Sequence, residues 1–176
     1  KLPYEFVVLN NSVPNAWALP GGKIAINRGL LTELNSEAEL AAVLGHEIVH
    51  AAARHGAKGM QRGILLQGAV VVAGIASRGS NYENLAVRGS QTAAGLINQK
   101  YGRNAESESD LYGMQYMSRA GYDPRAAISL QEVFVRLSEG QETDWLSGLF
   151  SSHPPSQQRV EANQATAKTL PESGEL

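Results

Sequence analysis

Two histidines four residues apart, His46 and His50, stand inside a long Ala/Leu/Val-rich segment whose start is marked by Ser36 and Glu39. A serine followed three residues on by a glutamate is a capping box, so this segment is predicted to be a well-started helix. On a helix, residues four apart share a face, and two neutral imidazoles at that spacing reach one tetrahedral zinc ion. Glu47, next to the first histidine, lies close enough to take a proton from water at such a site. With this composition the pattern His-Glu-x-x-His arises by chance only roughly 0.007 times per chain. The pattern therefore constrains the fold: a second element must bring the remaining ligand to this helix.

Composition narrows the classes around that helix. The 176 residues fit one domain, taken as 1–176, with enough chain for a real core. Fifteen basic against 17 acidic side chains leave a net charge of −2, which gives no electrostatic case for nucleic acid. There is no cysteine, which excludes disulfides and thiolate metal sites without deciding the compartment. The opening "KLPYEFVVLN" has neither an initiator Met nor an apolar signal core, so a fragment or mature form is expected. The apolar run 63–77 is shorter than the ~20 residues that span a bilayer, and is expected to be a buried or partner-facing helix.

Strand-like residues at 4–10, then 15–19 and 23–27 joined by "PGG", predict a small N-terminal sheet with a hairpin. The rest reads as helical. A loop is expected at 77–84, then helices over 85–100, over 106–122 ending at Gly121, and from Asp123 and Pro124 to about 139. A turn near 152 leads to a last amphipathic helix.

The third ligand is sought in "RNAESESD". On a helix Glu106 and Asp110 share a face that continues through Met114 and Met117, while Glu108 points away. A buried carboxylate needs a partner, so Glu106 is a candidate zinc ligand, and Asp110 a candidate to hydrogen-bond a histidine's other nitrogen. A plain acidic first turn would look the same taken alone. His55 fails as a ligand. It follows His46 by nine residues, which is two and a half turns of an unbroken helix, and is expected as a last-turn residue on the opposite side. The glycine that returns a third histidine in the longer metalloprotease motif is Ala53 here, and the third-ligand position is Gly56.

"HEIVH" followed about 55 residues later by "ESESD" resembles the M48 zinc metallopeptidases, whose pattern is H-E-x-x-H and then E-x-E-x-D. "NAWALPGGKIAINRGLL" (15–31) is similar to that family's N-A-[FW]-A-x-P-G-G hairpin, and "SHPPSQQR" (152–159) to its S-H-P-x-x-x-x-R segment. The resemblance is nearest to the bacterial envelope branch. It implies an α+β, mostly helical zincin-like domain holding one Zn2+ through His46, His50 and Glu106. Glu47 is then the general base, and Asp110 the acid behind the ligands. Ser109 departs from the usual alanine. By the same resemblance His153 is a fourth ligand that closes the site or a donor to the transition state. Arg159 positions a substrate carbonyl or braces acidic residues; a polar cap on the last helix is the plain alternative for both.

Residues Asn15, Ala16, Trp17 and Ala18, on a candidate edge strand, are expected to pair with an extended peptide, against the alternative of a plain hairpin packing Trp17 inward. The resemblance implies an endopeptidase of the periplasm or cell envelope, engaged in quality control of unfolded or misassembled polypeptides, with an outer-membrane assembly partner. The rival readings are a chaperone-like binding module with a structural zinc, and a latent enzyme.

Overall fold

The computed structural model describes residues 2–76, 101–139 and 146–171, with the backbone alone for 66–76, 137 and 139. The loop expected at 77–84 and the helix expected at 85–100 lie outside these residues. The fold is α+β: a three-stranded sheet, then helices packed around the one that carries the histidine pair.

The strands are β1 (Glu5–Leu9), β2 (Ala16–Leu19) and β3 (Lys23–Asn27), in the order β1-β3-β2. The hairpin is as expected. Gly21 and Gly22 take φ of +94° and +90°, which only glycine adopts freely, and set Ala16 opposite Ile26 and Leu19 opposite Lys23. β1 runs parallel to β3, with Glu5 opposite Lys23. The middle strand buries four of its five residues, whereas β1 is exposed throughout. In β2, Ala16 and Ala18 point inward and Trp17 stays half-buried, so the hairpin packs through its alanines and not its tryptophan.

After the single turn α1 (Arg28–Leu31) comes α2 (Glu37–Ala52). The Ser36 side chain accepts from the Glu39 amide at 3.2 Å, as the capping box requires. Glu39 reaches back one residue further than usual, accepting from the Asn35 amide at 2.7 Å. α3 (His55–Ala76) follows after a two-residue turn. Its Ile64 and Leu65 are 60% and 66% exposed, so the start of the apolar run is not buried within this chain, where its side chains are described.

α4 (Arg103–Arg119) starts earlier than the acidic cluster suggested and ends as expected, with Gly121 at φ +94° and the Tyr122 amide returning to the Met117 carbonyl. Asp123 then accepts from the Arg125 amide at the head of α5 (Arg125–Glu139). The last described elements are two helices, α6 (Ser147–Ser152) and α7 (Gln157–Ala167), split at His153 and the Pro-Pro pair. α2 packs chiefly on α4 and also touches α5, β2 and β3, so it is the central element. Around it lies an apolar core containing Ala16, Ile26, Leu30, Val43, Met117, Leu130 and Leu149. Among the described residues no helix is long and apolar enough to cross a membrane.

Candidate metal centre

Three segments converge on one point. α2 presents His46, Glu47 and His50, α4 presents Glu106 and Asp110, and the break between α6 and α7 presents His153. His46, His50, Glu106 and His153 each offer one ligand atom, and all four lie within 4.8 Å of one another. His46 Nε2 is 2.9 Å from His50 Nε2 and 3.3 Å from His153 Nδ1. Glu106 places Oε1 3.2 Å from His50 Nε2 and 3.3 Å from His153 Nδ1.

The donor set fits a cation. His46 Nδ1 meets Asp110 Oδ1 at 2.8 Å, an arrangement that keeps a proton on Nδ1 and turns Nε2 toward its neighbours. Burial pushes His50 down to about 3, so that ring is neutral. Burial would lower His46 too, but Glu106 and Asp110 outweigh it and raise the ring to about 10, so with no ion between them the carboxylates draw a proton onto the ring in its place. Glu106 is itself fully buried. Burial opposes its charge, yet His46 and the hydrogen bonds around it hold the carboxyl well below the usual carboxylate range. A centre with two ionised carboxylates and converging imidazole nitrogens calls for positive charge, which a divalent ion supplies.

Arg159 braces the acids. Its Nε and Nη2 donate to the two oxygens of Asp110 at 2.7 Å each, its Nη1 donates to Pro154 O at 3.1 Å, and Nη1 lies 2.9 Å from Glu106 Oε2. Burial would raise Asp110, but Arg159 and His46 hold it at about 2. Ser156 caps α7 by accepting from the Arg159 amide at 3.3 Å, which fixes where the arginine departs from the backbone.

Glu47 is buried with Oε1 3.4 Å from His153 Nε2, while its Oε2 has no hydrogen-bond partner among the described residues. It lines a cleft together with His46, His153 and Arg159. The far wall is apolar, from Leu30, Leu130, Phe134 and Leu149. Of the residues expected to bind an extended peptide, Ala16 lines this cleft. Ala18 lines a separate cavity beside His50, and Asn15 is buried with its backbone carbonyl taken by the Asn27 amide. β2 is an edge strand, as expected.

One sequence expectation needs correction. His55 is not a last-turn residue: α2 ends at Ala52, Arg54 takes a left-handed φ of +57°, and His55 opens α3 with its ring folded back on the centre. It stays outside the four-residue cluster, but its Nδ1 lies 2.9 Å from His50 Nδ1. Glu108 does turn away from the cluster, only to meet His55 Nε2 at 3.2 Å. Tyr101 was missed altogether. Its buried ring lies 4.0 Å from that of His50, centroid to centroid, and burial with Glu47 and Glu106 nearby raises its phenol above the ordinary value. No spacing in the sequence announces it.

Residues 1–167 match the family model for Peptidase family M48. The chain is 33% identical over 159 residues to the mitochondrial metalloendopeptidase OMA1 of Arabidopsis thaliana, covering 90% of this chain and 30% of that protein. It is 30% identical over 163 residues to the beta-barrel assembly-enhancing protease of Escherichia coli (strain K12), covering 88% and 31%. With the metalloprotease YcaL of the same organism it shares 29% over 163 residues, covering 90% and 60%. The chain thus spans between 30% and 60% of the length of these three relatives. With nearly its whole length matched, including the helix pair that forms the centre, the chain belongs to peptidase family M48.

Proposed function

We propose that this chain is a single zinc-dependent endopeptidase domain that cuts unfolded or misassembled polypeptides in the cell envelope. The observation that carries the reading is the four-residue cluster with the buried carboxylate of Glu47 beside it, facing an open cleft. A purely structural site has no use for a base at its edge.

In this reading His46, His50 and Glu106 hold one zinc ion. When bound, zinc supplies Lewis acidity to the scissile carbonyl and the attacking water. Glu47 takes the proton from that water and passes it to the departing amine. Asp110 holds His46 in the ligating tautomer, and Arg159 braces Asp110 and Glu106. The substrate lies along β2 in extended form, from Asn15 through Ala16, Trp17 and Ala18, and places an apolar side chain against Leu130 and Phe134. A link to β-barrel assembly, and with it the envelope setting we propose, draws on the names of those bacterial relatives that are beta-barrel assembly-enhancing proteases. The mitochondrial relatives favour the same chemistry in another compartment.

One observation favours a second, latent state of the same enzyme: His153 Nδ1 already lies among the ligand atoms, where it competes with water for the open position. Casein cleavage by the wild type and by His153→Ala, with and without a chelator, tests both. Cleavage that requires metal and rises in His153→Ala is expected. In either background Glu47→Gln is expected to keep zinc and lose at least about a hundredfold in rate. Near-normal cleavage by Glu47→Gln would remove Glu47 as the base.

A further inference from the structure

Glu108, His55 and His50 form a line that ends at the metal centre. Glu108 Oε2 is 3.2 Å from His55 Nε2, and His55 Nδ1 is 2.9 Å from His50 Nδ1. On its other side His50 turns Nε2 toward Glu106 and His46. Two facing ring nitrogens at 2.9 Å bond only when one carries a proton and the other does not. The carboxylate settles which. It can only accept, so His55 Nε2 carries the proton, and in a neutral ring Nδ1 is then a bare acceptor. His50 Nδ1 must donate to it, which leaves the His50 Nε2 lone pair pointing into the cluster.

From this geometry we infer that His55 is a positioning residue: it fixes the tautomer and ring orientation of His50, and Glu108 fixes those of His55. The inference rests on the reading of the cluster as a zinc site. It also explains the break after α2. On a continuous helix the His55 ring would stand on the far side of α2, whereas the left-handed turn at Arg54 swings it back to the ring it contacts. The two histidines on α2 are thus oriented by different means. His46 meets the carboxylate of Asp110 directly, while His50 meets a second imidazole with its carboxylate one step further out.

The test is zinc affinity by chelator competition on the full chain, comparing wild type with His55→Phe, His55→Asn and Glu108→Ala, alongside the melting temperature of each metal-free protein. Phenylalanine keeps the ring volume and deletes the acceptor, and should weaken zinc binding about 10- to 100-fold. Asparagine offers Oδ1 near the place of Nδ1 and should recover most of that loss, which a merely space-filling role would not produce. Glu108 has a side chain 46% exposed, so its removal leaves the fold intact and should weaken zinc by a smaller factor. Affinity in His55→Phe within about twofold of wild type, or no rescue by asparagine, would overturn the inference while leaving the zinc site standing. Unchanged affinity in Glu108→Ala would remove the outer link even if His55→Phe failed to fold. A wild-type chain that takes up no zinc would overturn the site and this inference together.

Discussion

Ser109 has no exposed surface, and its Oγ finds no hydrogen-bond partner among the described residues. A buried hydroxyl left unpaired costs about 1–3 kcal/mol, so Ser109→Ala should raise the stability of the metal-free chain by about 1 kcal/mol. The urea midpoint at unchanged slope measures this, and a fall in the midpoint would reveal a bond the serine makes. Residues of this kind divide by how local their cause is. The common face of Glu106 and Asp110 was legible from spacing, because four residues make one turn whatever surrounds them. His55 was not. Nine residues make two and a half turns only on an unbroken helix, and here the break is made by an arginine in the left-handed region, where glycine or asparagine would have announced it. Tyr101 reaches the centre only through tertiary packing.

Helices α2 and α4 meet backbone to backbone where Gly45 faces Gly113. A Cβ on Gly45 would stand 2.8 Å from the Gly113 carbonyl oxygen, and one on Gly113 would stand 2.9 Å from the His46 amide nitrogen. That closeness lets the short carboxylate arms of Glu106 and Asp110 reach two imidazoles on the neighbouring helix. Gly113→Ala should therefore cost about 1–3 kcal/mol of stability through forced separation. It should also weaken zinc binding. Thermal unfolding and metal titration on the same variant check the coupling, and lost stability with unchanged affinity would show that the helices part without opening the site. In sequence neither glycine announces this contact, since its reason lies on a partner far along the chain. The capped start of α2 and the glycine turn of the hairpin were legible because their causes sit within a few residues. The parallel pairing of β1 with β3 was not, having no local signature.

At the scale of the molecule, the candidate ligands tie α2 and α4 to the junction of α6 and α7. Metal that binds only the folded chain stabilises it by mass action, by about 4 kcal/mol when free zinc exceeds the dissociation constant a thousandfold. At about 2–4 °C per kcal/mol for a chain of this size, a chelator should lower the melting temperature by roughly 8–16 °C. Differential scanning fluorimetry with and without chelator measures this, and coincident curves would argue against a metal shared between these helices. The same spread has a meaning in time. His46 and His153 touch across 107 positions of sequence. A ribosome adding about 5–20 residues per second needs roughly 5–20 s to travel from one to the other. A chain still being made carries its His-Glu-x-x-His helix long before the carboxylates and the final histidine exist to complete the centre. On the proposed reading, a chain that has reached only its His-Glu-x-x-His helix cannot yet cut protein, because the third ligand, Glu106, is still to be made.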